Sequence, residues 1–227
     1  MYNQRIARLR DRLEGPLLVT YLPNIRYLTG FTGSSALMFV SADEIVFLTD
    51  GRYGEIAGRL LEEIEGGELV VYSGGLEKVL AEQMAGHERV GLESQDVKWS
   101  FVHSLKEKVV DTGLTPTKDL VEGLREIKDE SEVEALSAAA AAGDAAFREV
   151  RKLAAIHDTE SEAGWGLIEA MRNAGGRQAG WPPIVAGNAN AALPHHLSEA
   201  DPVGNELLLL DYGCTVSGYH SDMSRTI

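Results

Sequence analysis

The sequence predicts a two-domain α/β protein, with an α/β domain over residues 1–120 and a second domain over residues 121–227. Three observations predict it. Short apolar runs alternate with runs of helical period up to about Leu120, the pattern of a layered α/β domain. A charge-dense stretch, Asp119 to Val133, then interrupts the alternation. Beyond it, two helical stretches lead into a closing strand–turn–strand, Glu206 to Ile227 (ELLLLDYGCTVSGYHSDMSRTI).

Asn3 to Glu14 places Ile6, Leu9 and Leu13 at helical spacing, and Gly15-Pro16 stops that helix. Leu17 to Tyr21 is an apolar strand that Pro23-Asn24 breaks. Ala36 to Val40 and Glu44 to Thr49 form a hairpin around Ser41–Asp43. Between these pieces, Gly30 to Ser35 is glycine- and serine-rich. It lacks a P-loop lysine and a third glycine, so it reads as a turn rather than a phosphate cradle. Asp50-Gly51-Arg52-Tyr53 opens a helix to about Glu65, where Asp50 serves as an N-cap or the helix start holds an anion. Leu69–Tyr72 and Arg89–Leu92 read as strands, and Leu76–Met84 and Trp99–Lys108 as helices. In the second half a long helix begins at Ser131, with Glu134 completing a capping box, and runs through an alanine-rich face suited to close packing on a sheet. Thr159 caps a second helix, Glu160 to Ala174, with Trp165, Ile168 and Met171 on one face, and Gly175-Gly176 ends it. Gly180 to His196 follows an extended, irregular path set by prolines and glycines.

The totals narrow the function classes. Hydrophobic residues are 44% and charged residues 25%, an ordinary globular balance. The net charge of −14 disfavours nucleic acid and anionic membrane as partners. Cys214 is the one cysteine, so no internal disulfide forms. No run approaches the roughly 20 apolar residues of a membrane span, and nothing resembles a signal peptide, so the cytoplasm is the expected compartment.

The closing hairpin carries the chemistry. Leu207 to Leu210 reads as a strand buried on both faces. A turn centred between Val216 and Ser217 sets Asp211 directly opposite Asp222, with Cβ atoms about 4.5–5.5 Å apart on one face. Two ionised carboxylates at that separation repel. A shared proton relieves this, as do one or two divalent cations, since paired catalytic ions sit about 3.5–4 Å apart. The plainer alternative has Asp211 capping the turn and Asp222 solvated beyond it. His220, two residues from Asp222, shares its face.

The phrase D-Y-G-x-x-x-x-G-Y-x-S-D-M-S-R-T resembles the first metal-ligand motif of the pita-bread metallopeptidases, the aminopeptidase P, prolidase and creatinase group. The resemblance extends to NIRYLTGFTGSS and LTDGRY in the first half, to the R-x-I-K-x-x-x-E phrase at Arg125 to Glu132, and to PPIVAGNANAALPHH. It implies a creatinase/prolidase-like N-terminal domain over residues 1–120 ahead of a partial α+β domain over residues 121–227, the first half of a pita-bread catalytic domain. It implies two divalent metal ions, manganese first with cobalt or zinc as alternatives, bound by Asp211 and bridged by Asp222. It implies hydrolysis of the peptide bond preceding proline in a proline-containing peptide. His195, the first histidine after Pro194, takes the role of the pocket histidine that stabilises the oxyanion, and His220 stands outside the ligand set. Arg52 and Tyr53 are implied to reach a substrate or a neighbouring subunit in a homodimer. A histidine and two glutamates complete the family's ligand set, and nothing after Ile227 supplies them, so the expectation is an incomplete, inactive piece of a larger enzyme. Other readings are a creatinase-like C–N hydrolase, which the retained aspartates disfavour, and a non-catalytic dimerisation or binding module. Methionine aminopeptidases share the aspartate spacing but not the N-terminal domain.

Overall fold

In the computed structural model, which describes residues 1–153, 159–178 and 180–227, the chain divides into two compact units, Met1–Ile127 and Lys128–Ile227. The first unit contains α1 (Tyr2–Arg10), β1 (Leu17–Val19), α2 (Leu22–Thr29), β2 (Leu37–Val40), β3 (Ile45–Asp50) and α3 (Gly54–Leu61). It continues with β4 (Gly67–Tyr72), α4 (Leu76–Met84), β5 (Arg89–Glu93), α5 (Trp99–Lys106), β6 (Gly113–Thr117) and α6 (Glu122–Arg125). Its strands form one sheet in the order β4-β3-β2-β1-β5-β6. The β1–β2 and β2–β3 pairs are antiparallel and the remaining pairs parallel. Every residue of β2 is buried, as expected for a strand covered on both faces by helices. One face packs Met38, Val40 and Phe47 against α1 and α2, and the other packs Leu18, Phe39 and Leu48 with α4 and α5.

Local physics explains where this unit departs from the sequence reading. Strand β1 ends at Val19, before the expected Tyr21, and Pro23 does more than end it. This proline lies in the first turn of α2, where its missing N–H leaves no bond unmade. Helix α1 ends at Arg10, before the expected Glu14. Strand β6 carries Pro116, tolerated because β6 lies at the sheet edge. Asp50 is not the cap of α3, whose N-cap is Tyr53. It accepts instead from the Arg52 backbone N–H at 3.0 Å. The division between units falls after Ile127 rather than at 120, because Val121 and Leu124 are buried in the first core.

The second unit opens with α7 (Glu130–Leu153) and α8 (Glu160–Asn173). The reciprocal box that starts α7 joins Asp129 to Glu132, at 3.1 and 3.0 Å, not Ser131 to Glu134. Thr159 caps α8 in a full capping box with Glu162. Its buried face is Ala163, Gly164, Leu167, Ala170 and Met171, while Trp165, expected on that face, is exposed. There follow β7 (Arg177–Gln178), β8 (Ile184–Gly187), a 3-10 turn over Asn188–Ala192, β9 (Leu208–Tyr212), β10 (Cys214–Val216), β11 (Tyr219–His220) and β12 (Met223–Thr226). These strands make two small sheets, β12-β9-β8 and β11-β10-β7. The segment read as irregular thus contains a strand. The alanine face of α7 meets the hairpin as its composition suggests. Ala142 and Ala146 pack with Leu210, Tyr212 and Cys214, and a Cβ on Gly143 would sit 3.1 Å from Met223 Sδ. Among the described residues, no helix is long and apolar enough to cross a membrane.

Candidate active site

The closing hairpin is real, but its register differs from the simplest expectation. Ser217 and Gly218 both have positive φ, 49° and 81°, so they are the two central residues of the turn. That centring pairs Val216 with Tyr219 and Thr215 with His220. The same register resumes below, with Met223 opposite Tyr212 and Ser224 opposite Asp211. Asp222 therefore stands across from Gly213, and Asp211 does not face Asp222 directly. The two aspartates are diagonal neighbours, with Cα atoms about 7–8 Å apart in a regular ladder. A slip of two residues preserves the face. Burial agrees, since Leu210, Tyr212 and Ser221 point into the unit while Asp211 is half-buried and Asp222 exposed. The strand is not buried on both faces either, as Leu207 is exposed and Leu209 half-buried.

The Ser224 hydroxyl donates to Asp211 Oδ1 at 3.0 Å. Among the described residues, no basic side chain pairs with Asp211 or Asp222. Two carboxylates on one face without a counter-charge are the donor chemistry that an oxygen-seeking divalent ion requires. The residues present fit such an ion and supply two of its roughly six ligands. Among the described residues, the group of three metal-capable side chains that converges is Glu160, His196 and Asp201, which includes neither Asp211 nor Asp222. Its shortest contact, His196 Nε2 to Glu160 Oε2 at 2.6 Å, is a hydrogen bond. His220 lies on the aspartate face with Nδ1 2.7 Å from the Thr215 hydroxyl and its ring 6.2 Å from Trp181.

His195 and His196 end the segment that begins with β8. Pairing with β9 sets Ile184 beside Asp211. His195 is exposed, with a left-handed backbone at φ 55°. His196 is half-buried and bound to Glu160, which is fully buried. Glu160 Oε1 also accepts from Gly187 N at 2.7 Å and from Asn190 Nδ2 at 3.0 Å. Burial alone would push this carboxyl up. The hydrogen bonds from Gly187, His196 and Asn190 outweigh it and hold the group below the usual glutamate value. Glu160 escaped the sequence reading because an acidic residue in a first helical turn is normally a solvated one. Its only signal is its place beside the Thr159 cap.

Arg52 and Tyr53 belong to the first unit. The Arg52 guanidinium grips Asp50 with two hydrogen bonds, of 3.0 and 2.8 Å, and lies 5.2 Å from the Tyr53 ring centroid. The bond from Arg52, followed by one from Ser35, holds the Asp50 carboxyl well below the usual range. The Tyr53 hydroxyl meets Ser34 Oγ at 2.8 Å, and Tyr72 meets Ser35 Oγ at 3.2 Å. The loop read as a turn is thus tied down by two tyrosines.

Residues 5–127 match the creatinase/prolidase N-terminal domain, and residues 134–227 match metallopeptidase family M24. The chain is similar to an uncharacterized peptidase, YqhT, of Bacillus subtilis, with 32% identity over 93% of this chain and 60% of the relative. Among solved structures it resembles an Xaa-Pro dipeptidase from Bacillus anthracis, at 32% identity and a TM-score of 0.91, covering 100% of this chain and 65% of the other. It also resembles an X-Pro aminopeptidase from Thermotoga maritima, at 26% identity and a TM-score of 0.86, over 97% and 64% of the respective chains. The chain therefore spans about 60–65% of the length of these relatives.

Proposed function

Since the chain belongs to metallopeptidase family M24, with a creatinase/prolidase N-terminal domain ahead of the peptidase segment, we propose that it serves hydrolysis of the peptide bond preceding proline. The observation that carries this reading is the pair Asp211 and Asp222, on one face of a hairpin and without a basic partner among the described residues. These two side chains would hold the divalent ions, manganese first among the candidates. Bound there, the ions supply Lewis acidity and an activated water. The chain's own residues do the rest. Ser224 fixes one oxygen of Asp211 by its 3.0 Å hydrogen bond and so limits which oxygen points outward. His195, exposed and without a hydrogen bond or ion pair among the described residues, is free to donate to the carbonyl oxygen of the scissile bond and to the charge that develops on it. Arg52 and Tyr53 contribute to substrate recognition or to a homodimer contact. A peptide carboxylate would engage Arg52 only by competing with Asp50.

The test has two parts. A manganese titration followed by electron paramagnetic resonance should give a dissociation constant on the order of 10⁻³ M for the 227-residue chain, as expected of a site short of ligands. Asp211→Asn or Asp222→Asn should abolish that binding. Binding that survives both substitutions would remove the basis for the reading. Two ligands do not make a competent centre, so these residues by themselves should not cleave Xaa-Pro peptides. Metal-dependent cleavage by this chain would overturn that expectation.

A further inference from the structure

Glu160 is the first residue of α8, a position where an acidic side chain ordinarily faces water and interacts with the helix dipole. Here it is fully buried at 0% exposure. Its acceptors are spent on one stretch of chain. Gly187 N and Asn190 Nδ2 donate to Oε1 at 2.7 and 3.0 Å, and His196 Nε2 meets Oε2 at 2.6 Å. An ionised carboxylate only accepts, so His196 donates through Nε2. Residue 195 lies between these anchors, with a backbone in the left-handed region at φ 55°. A residue other than glycine stays there only when its surroundings over-determine it. Ser198, bonded to Val185 N and O at 2.7 and 2.8 Å, closes the same segment on its far side.

We infer that Glu160 is a positioning residue: through His196 and the Gly187–Asn190 turn it fixes the backbone that presents His195. His196 is then a strut, not a second catalytic histidine. The inference rests on the peptidase reading for what His195 does, but not for how it is held.

Nuclear magnetic resonance on the 227-residue chain tests the holding directly. The His195 amide should show a rigid order parameter of about 0.85, falling below about 0.6 in both Glu160→Ala and His196→Ala. Glu160→Gln keeps an oxygen for Gly187 and Asn190 and offers an N–H to the other tautomer of His196, so it should restore order. If Glu160→Ala unfolds the second unit, His196→Ala decides. His195 remaining rigid in the folded variants would overturn the inference. A second arm uses a metal-loaded polypeptide that supplies the remaining ligands. There, Glu160→Ala should lower kcat on the order of 10²-fold at nearly unchanged KM, with recovery in Glu160→Gln. An unchanged kcat would refute the positioning role. Failure of that polypeptide to cleave any Xaa-Pro peptide, with the order-parameter result intact, would reject the peptidase reading and leave the positioning of His195 standing.

Discussion

Two buried glutamates show how environment, not residue type, sets a side chain's task. Glu93 is 8% exposed and accepts from Thr20 N, Tyr21 N and Asn24 Nδ2, each at 2.7 Å, pinning the start of α2 to β5. Burial nevertheless dominates and raises its carboxyl above the ordinary value of 4.5. The folded chain therefore takes up a proton at Glu93 more readily than the unfolded chain does. The stabilisation this provides is complete below the unfolded value and is lost as pH rises through the folded one. Denaturant titrations of wild type and Glu93→Gln should show the wild-type advantage shrinking as pH rises through that window and staying level beyond it. A wild-type advantage that grew with pH there would refute the assignment. Glu160 has the opposite sign. Its hydrogen bonds hold the carboxyl low, so its contribution is present above the unfolded value and disappears as pH falls through the folded one. Neither role could be read from composition, because a glutamate's neighbours in space lie 27 to 73 positions away in sequence for these bonds.

At the scale of elements, the closing hairpin is decided by its turn. The alternation of polar and apolar residues puts Asp211 and Asp222 on one face for any even shift of register, so the sequence alone shows the pair. The turn residues choose among those shifts. Ser217 and Gly218 both take positive φ, which matches the two-residue turn that suits strand twist. Asparagine tolerates the left-handed region better than serine, and a β-branched residue tolerates it worse. Ser217→Asn should thus stabilise the chain by about 0.5 kcal/mol and Ser217→Val destabilise it by about 1 kcal/mol, read as opposite shifts in Tm. A valine variant melting with the asparagine variant would mean that the turn is centred elsewhere. A second constraint acts at the end of β8. A Cβ on Gly187 would run into the Val203 carbonyl, which belongs to backbone and cannot swing aside. A methyl group at 187 would also displace the N–H that reaches Glu160.

At the scale of the whole chain, each unit carries its own core. Ile6, Phe31, Met38 and Phe47 belong to the first, and Leu167, Val185, Leu210 and Tyr212 to the second. Units with separate cores behave as separate cooperative bodies. Leu210 is fully buried between α7 and the hairpin sheet. Leu210→Ala should cost the second unit about 2–5 kcal/mol and lower one calorimetric transition while leaving the other in place. Both transitions falling together would show a single cooperative body. The −14 charge adds self-repulsion to both units and makes the melting temperatures rise with added salt.

By itself the sequence determined most strands and helices of the first unit, though not α2, β6 or α6, together with the two long helices of the second, the hairpin, and the face shared by its aspartates. These follow from periodicity, capping residues and turn residues, which act over a few positions along the chain. Its motifs were enough to identify the family. Tertiary structure alone decided that Trp165 faces outward and that Glu160 turns inward to grip the His195 segment. Each of these depends on which distant groups meet when apolar faces pack and buried polar atoms find partners, a selection that no local pattern records.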